Sequence, residues 1–101
     1  MNQQETWIES GKQIGKSISF TKNEEPYRQS VAIQKHQNEY YVYFFEVPEA
    51  KMMLDEDAEE ESLKSFSEIH EALEYLSQIT HIPFADFAPF KGQKAFKLQT
   101  D

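Results

Sequence analysis

The run Tyr40-Tyr41-Val42-Tyr43-Phe44-Phe45, continued to Val47 and stopped by Pro48, limits what this chain can fold into more than any other feature. Aromatic and β-branched side chains fit a pleated surface, so Glu39–Val47 reads as a strand. Both of its faces are apolar. Tyr41, Tyr43, Phe45 and Val47 alternate onto one side, and Tyr40, Val42 and Phe44 onto the other. A strand of that kind lies inside a sheet and is covered above and below. Proline cannot donate to a ladder, so Pro48 ends it. The rest of the 101 residues must supply sheet neighbours and two covers.

The neighbours precede it. Ser17–Thr21 alternates, with Ile18 and Phe20 on one side and Ser17, Ser19 and Thr21 on the other. Gln29–Lys35 alternates in the same way, placing Val31 and Ile33 opposite Ser30, Ala32 and Gln34. Period-two patterning predicts half-buried strands. Asn23-Glu24-Glu25-Pro26 is turn chemistry, and His36-Gln37-Asn38 closes a second hairpin because Asn tolerates left-handed backbone. Residues 1–16 are polar apart from Trp7-Ile8, and read as an arm or a short strand around Thr6–Glu9.

One cover is a helix. Ile69, Ala72, Leu73, Leu76 and Ile79 recur at helical spacing. Ser65 and Glu68 form a capping box, which predicts a helix over 65–79. In the tail, Phe84, Phe87 and Phe90 lie three apart between Pro83 and Pro89, the pattern of a short helical turn. Lys91-Gly92 reads as a turn, and Gln93–Leu98 as a last short strand. This aromatic tail is the expected second cover.

The predicted fold is α+β: a three- to four-stranded antiparallel meander, one principal helix packed on one face, and a short C-terminal strand. One domain is expected over 17–101, preceded by the arm 1–16.

Charge narrows the function classes. Formal net charge is −8. Residues 55–86 hold ten acids and one base, while 87–98 hold Lys91, Lys94 and Lys97 and no acid. A field of this sign repels phosphate backbones and anionic lipid, which argues against nucleic-acid and membrane binding and favours cationic partners. There is no cysteine, hence no disulfide, thiolate metal site or thiol nucleophile, which suits a reducing cytosol. No stretch has the apolar length of a membrane span, and the first residues lack signal-peptide chemistry; a cytoplasmic location is expected.

Catalytic and cofactor motifs fall short. Gly11-Lys12-Gln13-Ile14-Gly15-Lys16-Ser17 has three residues between its glycines where a phosphate-cradling loop needs four. Asp55, Asp57, Glu59 and Glu61 fit alternate positions of a calcium loop, but Glu60 stands where glycine is required and Phe66 where the bidentate glutamate belongs. His70 and Glu74 share a helix face without a third ligand, and no nucleophile elbow surrounds any serine. No catalytic residue, metal ligand or cofactor is assigned.

What remains is recognition. The expected function is a non-catalytic protein-binding or regulatory module. Its candidate surface is Tyr41, Tyr43 and Phe45 together with the acidic run Asp55, Glu56, Asp57, Glu59, Glu60 and Glu61, read as a solvated loop. The expected partner is another protein, of basic character, and an open sheet edge allows a homodimer. Two alternatives stand beside it. One is a DNA mimic or inhibitor that presents the acids of 55–86 to a basic groove. The other is a small-ligand protein or enzyme with a pocket between sheet and tail containing His70 or Tyr75. Lys91, Lys94 and Lys97 could hold an anion or the acidic loop of another copy, but they read as ordinary surface lysines on an edge strand.

Overall fold

The structure is a computed structural model that describes residues 2–53, 60–90 and 94–98. Its centre is an antiparallel sheet of five strands in the order β4-β3-β2-β1-β5. The strands are β1 (Ile14–Lys22), β2 (Glu25–His36), β3 (Glu39–Pro48), β4 (Glu60–Phe66) and β5 (Ala88–Pro89). Helix α1 (Gln3–Glu9) precedes the sheet, α2 (Glu49–Met53) follows β3, and α3 (Ile69–Ile79) joins β4 to the tail. The aromatic strand is interior, as its two apolar faces require, with β2 and β4 on either side.

The meander is driven by two-residue turns. Asn23 and Glu24 have φ of 53° and 64°, and Gln37 and Asn38 have 51° and 65°. Positive φ at both central residues is the type I′ signature, whose twist matches that of the flanking strands. The first turn is tighter than the sequence implied: Glu25 and Pro26 are already in β2, opposite Lys22 and Thr21.

One face of the sheet carries the main core. Ile14, Val31, Ile33, Tyr40, Val42 and Phe44 meet Ala72 and Leu76 of α3, Ile82 and Phe87 of the following segment, and Ile8 of α1. The helical stripe predicted from 69–79 is the one that packs, with Ile69, Leu73 and Ile79 at its margins. Pro83 precedes a 3₁₀ turn over Phe84–Asp86, the short turn expected there.

Four local expectations change. The segment around Thr6–Glu9 is helical, capped by Asn2, which accepts from the Glu5 amide at 2.8 Å. Its Ile8 is fully buried, and such burial contributes ~1.5–3 kcal/mol, which outweighs the weak strand signal of a single apolar pair. The helix starts at Ile69 with Glu68 as an extended N-cap, and no side chain caps it. Ser65 is instead paired with Tyr41 in β4, so ladder pairing wins over the capping box. Glu60 and Glu61, expected in a loop, open that same strand. Finally, the C-terminal strand is Ala88–Pro89, while 94–98 has no regular structure; the Lys91-Gly92 turn lies outside the described residues.

A polar triad fastens α1. Glu9 accepts from the Tyr40 hydroxyl at 2.7 Å and from the Lys35 ammonium at 2.9 Å. These two contacts, Tyr40 first, hold its carboxyl below the ordinary 4.5. A lowered carboxyl pKa adds stability above the unfolded value and loses it as pH falls through the folded one. The wild type is therefore expected to lose more stability than Glu9→Gln as pH drops below 4.5, read from urea melts at several pH values. Parallel pH curves would remove the triad as an anchor. A second expectation concerns the turns: Glu24→Gly relieves a side chain held at φ 64° and should stabilise by about 0.5–1 kcal/mol in the same assay.

Candidate functional site

The sheet's second face is where the sequence-derived interaction residues lie. By register, Tyr41, Tyr43 and Phe45 of β3 stand beside Gln34, Ala32 and Ser30 of β2 on one side and Ser65, Leu63 and Glu61 of β4 on the other. All three aromatics are half-buried, while Val47 next along the face is fully buried. The expected cover is therefore partial, and the aromatic tail divides between the faces. Phe84 and Phe87 join the main core, whereas Phe90 and Phe96 reach the second face.

Two contacts fix that cover. Gly15 leaves space for Phe90: a Cβ there would lie 2.8 Å from the Phe90 ring and 2.1 Å from the Val31 carbonyl oxygen. Phe96 stacks on Tyr43, with ring centroids 5.3 Å apart and planes 23° apart. Such aromatic pairs contribute about 0.5–1.5 kcal/mol beyond the area they bury.

A buried amide replaces the strand that the tail does not form. Gln13 accepts from the Ala95 amide at 2.8 Å and the Phe96 amide at 3.4 Å, and donates to the Phe96 carbonyl at 2.9 Å. Its nitrogen also donates to Gln34 at 3.0 Å, and Gln34 in turn donates to the Gly11 carbonyl at 3.3 Å. One side-chain amide thus satisfies the tail backbone as a neighbouring strand would. Sequence periodicity reads Gln13 as surface, so it gave no signal of this.

The part of the face that no described residue covers adjoins the β4 edge. Leu63 is 48% exposed and sits beside Tyr43. Glu61 accepts a hydrogen bond from the Tyr43 hydroxyl, and burial followed by that contact pushes the Tyr43 phenol well above its ordinary pKa. The phenol therefore stays neutral across physiological pH. Glu60 and Glu61 are exposed at the start of β4; Asp55, Glu56, Asp57 and Glu59 lie outside the described residues. The two sheet edges differ. One is formed by the two residues of β5 and, beyond them, by residues 16–22 of β1, and the other by the seven residues of β4, where Leu63 is exposed. Lys64, on β4, lies over the Tyr75 ring at 5.0 Å, on the opposite face from Leu63.

Two further polar groupings belong to the scaffold. Lys22 pairs with Glu46 at 3.2 Å, Gln29 donates to Glu46 at 3.0 Å, Thr80 donates to Gln29 at 2.6 Å, and Thr80 accepts from the Ile82 amide at 3.2 Å. This chain links the β1–β2 end of the sheet to the C-terminus of α3, and satisfies the buried polar groups Gln29, Glu46 and Thr80. His70 is exposed and approaches Glu68 at 3.8 Å. Tyr75 packs on Phe66 at 5.2 Å. Neither His70 nor Tyr75 lines a space between sheet and tail, the place the pocket hypothesis gave them. Cavities that do lie there are lined by Gln34, His36, Lys94, Lys97 and Leu98, and by Ser30, Tyr43, Phe45 and Ala95.

Gln13→Leu tests the amide clasp. It leaves tail backbone groups unpaired and should cost about 1–3 kcal/mol, with faster hydrogen exchange at the Ala95 and Phe96 amides. Unchanged exchange at those two amides would dismiss the clasp.

No helix among the described residues is long and apolar enough to cross a membrane. No protein-family model, no curated protein and no solved structure matches the chain.

Proposed function

We propose that this protein is a non-catalytic binding module that takes up an extended, basic segment of another protein along β4. The observation behind this reading is the seven-residue edge strand, whose exposed Leu63 continues the half-buried Tyr43 and Phe45. An edge strand presents unpaired backbone donors and acceptors, and proteins usually blunt such edges. On the other edge β5 covers only Ile14 and Gly15, so residues 16–22 of β1 also lack an outer strand among the described residues, but they expose no large apolar side chain as β4 exposes Leu63. β4 has charges along it, but its backbone is neither interrupted by proline nor covered by a described element. An incoming strand would pair with the backbone and place alternate side chains against Leu63, Tyr43 and Phe45.

Charge supports a basic occupant. Glu60 and Glu61 open the strand, and the six acids of 55–61 precede or begin it in the sequence. Glu24, Glu25, Glu46 and Glu49 lie at the same end of the sheet by register and connection, with Lys22 paired to Glu46. Complementary charge would speed encounter and orient the segment, while the apolar contacts hold it. Acid presentation to a basic protein, the mimic reading, differs in needing no apolar contact.

Selection of random peptides displayed on phage against the immobilised protein separates these readings. The expected winners alternate apolar residues with Lys or Arg, shift the β4, Tyr43 and Phe45 resonances, and lose at least about tenfold affinity, ~1.4 kcal/mol, against Leu63→Asp. Winners that bind Leu63→Asp equally well and are released entirely by salt would replace edge pairing with simple charge presentation. A concentration-dependent dimer that Leu63→Asp abolishes would assign the edge to a second copy of the chain.

A further inference from the structure

We propose that the cavity between the β2–β3 hairpin and the C-terminal tail is a binding site for the phosphate group of a small molecule. The cavity encloses about 320 Å³ and is lined by Gln34, His36, Lys94, Lys97 and Leu98. Such a volume lies at the small end of ligand sites, enough for a phosphate with a compact body. Lys94 also borders a neighbouring cavity of about 300 Å³, whose wall includes Lys12 and Gln13.

Three features argue for an anion. First, Lys94 and Lys97 are exposed and make no ion pair with any described residue, and the same holds for Lys12. Cations gathered at one spot repel one another unless something neutralises them. Second, His36 lines the cavity, and its Nε2 is buried without a hydrogen-bond partner among the described residues. Buried polar atoms are seldom left so, and a water, an ion or a ligand ordinarily supplies the partner. Nε2 is closed to solvent in this ring position, so a turn of the imidazole is what brings its N–H to an occupant of the cavity. Third, the Gln13–Gln34 pair beneath the site holds both walls together: Gln34 on β2, and the tail through Ala95 and Phe96. The lysines are therefore carried on a backbone segment that is clasped to the sheet.

His36 rests against Tyr41, ring centroids 6.5 Å apart, which limits where its imidazole can turn. Glu39 is the cross-strand neighbour of His36 but is not part of the cavity lining. Two lysine ammoniums and an imidazole N–H suit the several acceptor oxygens of a phosphate, through charge-assisted hydrogen bonds. Leu98 offers an apolar wall to whatever the phosphate is attached to. This site lies at the opposite end of the sheet from Glu60 and Glu61, because Gln34 and His36 end β2 while those acids pair with the end of β3. It does not depend on the protein-binding reading above.

The test is a ¹H–¹⁵N titration of the full chain with inorganic phosphate and, separately, with glycerol 3-phosphate, each against sodium chloride at equal ionic strength. The expected result is saturable shifts at Gln34, His36 and residues 94–98, including the His36 ring nitrogens. Lys94→Ala combined with Lys97→Ala should weaken binding at least about tenfold. His36→Gln should weaken it severalfold while the remaining spectrum stays that of the folded protein. Tighter binding of the ester assigns the site to an organic phosphate; equal or tighter binding of inorganic phosphate assigns it to the free ion. Shifts that are linear, are reproduced by chloride, or survive the double lysine substitution would overturn the proposal.

Discussion

The whole structure depends on a strand that is apolar on both sides. β3 places Tyr40, Val42 and Phe44 on one face and Tyr41, Tyr43, Phe45 and Val47 on the other, so neither face can be left to water without cost. At roughly 25 cal/mol per Å² of apolar area, each large aromatic ring left bare forfeits a few kcal/mol. In a domain whose net stability is about 5–15 kcal/mol, that is decisive. The first face is solved with regular elements: α3, α1 and the segment around the 3₁₀ turn close over it. The second is solved piecemeal, by Phe90 over Gly15, by Phe96 over Tyr43, and by α2 beside the far end of β3.

That piecemeal cover leaves part of the second face open among the described residues. Among the described residues the tail is held by the Gln13 amide, by Phe90 against Gly15 and by Phe96 on Tyr43, while Leu63 is exposed beside Tyr43. The same tail brings lysines to the other end of the face, above His36. The result is one end of the sheet rich in acids, with Lys22 and Arg28 among them, and another that gathers Lys35, Lys94 and Lys97, with Glu9 and Glu39 among them. The net charge of −8 conceals this separation, because a total does not record position.

Much of the fold was legible because it follows from local rules. The three long strands, both hairpin turns, the α3 stripe and the turn after Pro83 all have short-range signals in alternation, helical spacing or proline placement. β4 had none. Its residues Glu60-Glu61-Ser62-Leu63-Lys64-Ser65-Phe66 show little alternation, since an edge strand half open to water needs few apolar side chains. The capping box at Ser65 and Glu68 was a true pattern overruled by tertiary pairing, as ladder bonds to Tyr41 and its neighbours offset one cap. Of the candidate site, Tyr41, Tyr43 and Phe45 were placed on the correct shared face. Leu63 and His36 were not singled out, because exposure at an edge and an unpartnered ring nitrogen exist only once the chain has folded.

The sequence by itself determined that an aromatic strand would follow two antiparallel strands joined by tight turns and be backed by an amphipathic helix. Those outcomes rest on side-chain periodicity and turn chemistry, which act over a few residues. Only the tertiary structure decided which face the tail covers, how far it reaches, and that α1 belongs to the core. Those outcomes rest on contacts between residues as far apart as Gln13 and Phe96, or Glu9 and Tyr40. No local pattern records such pairings, because their free energy appears only when the sheet has brought the partners together.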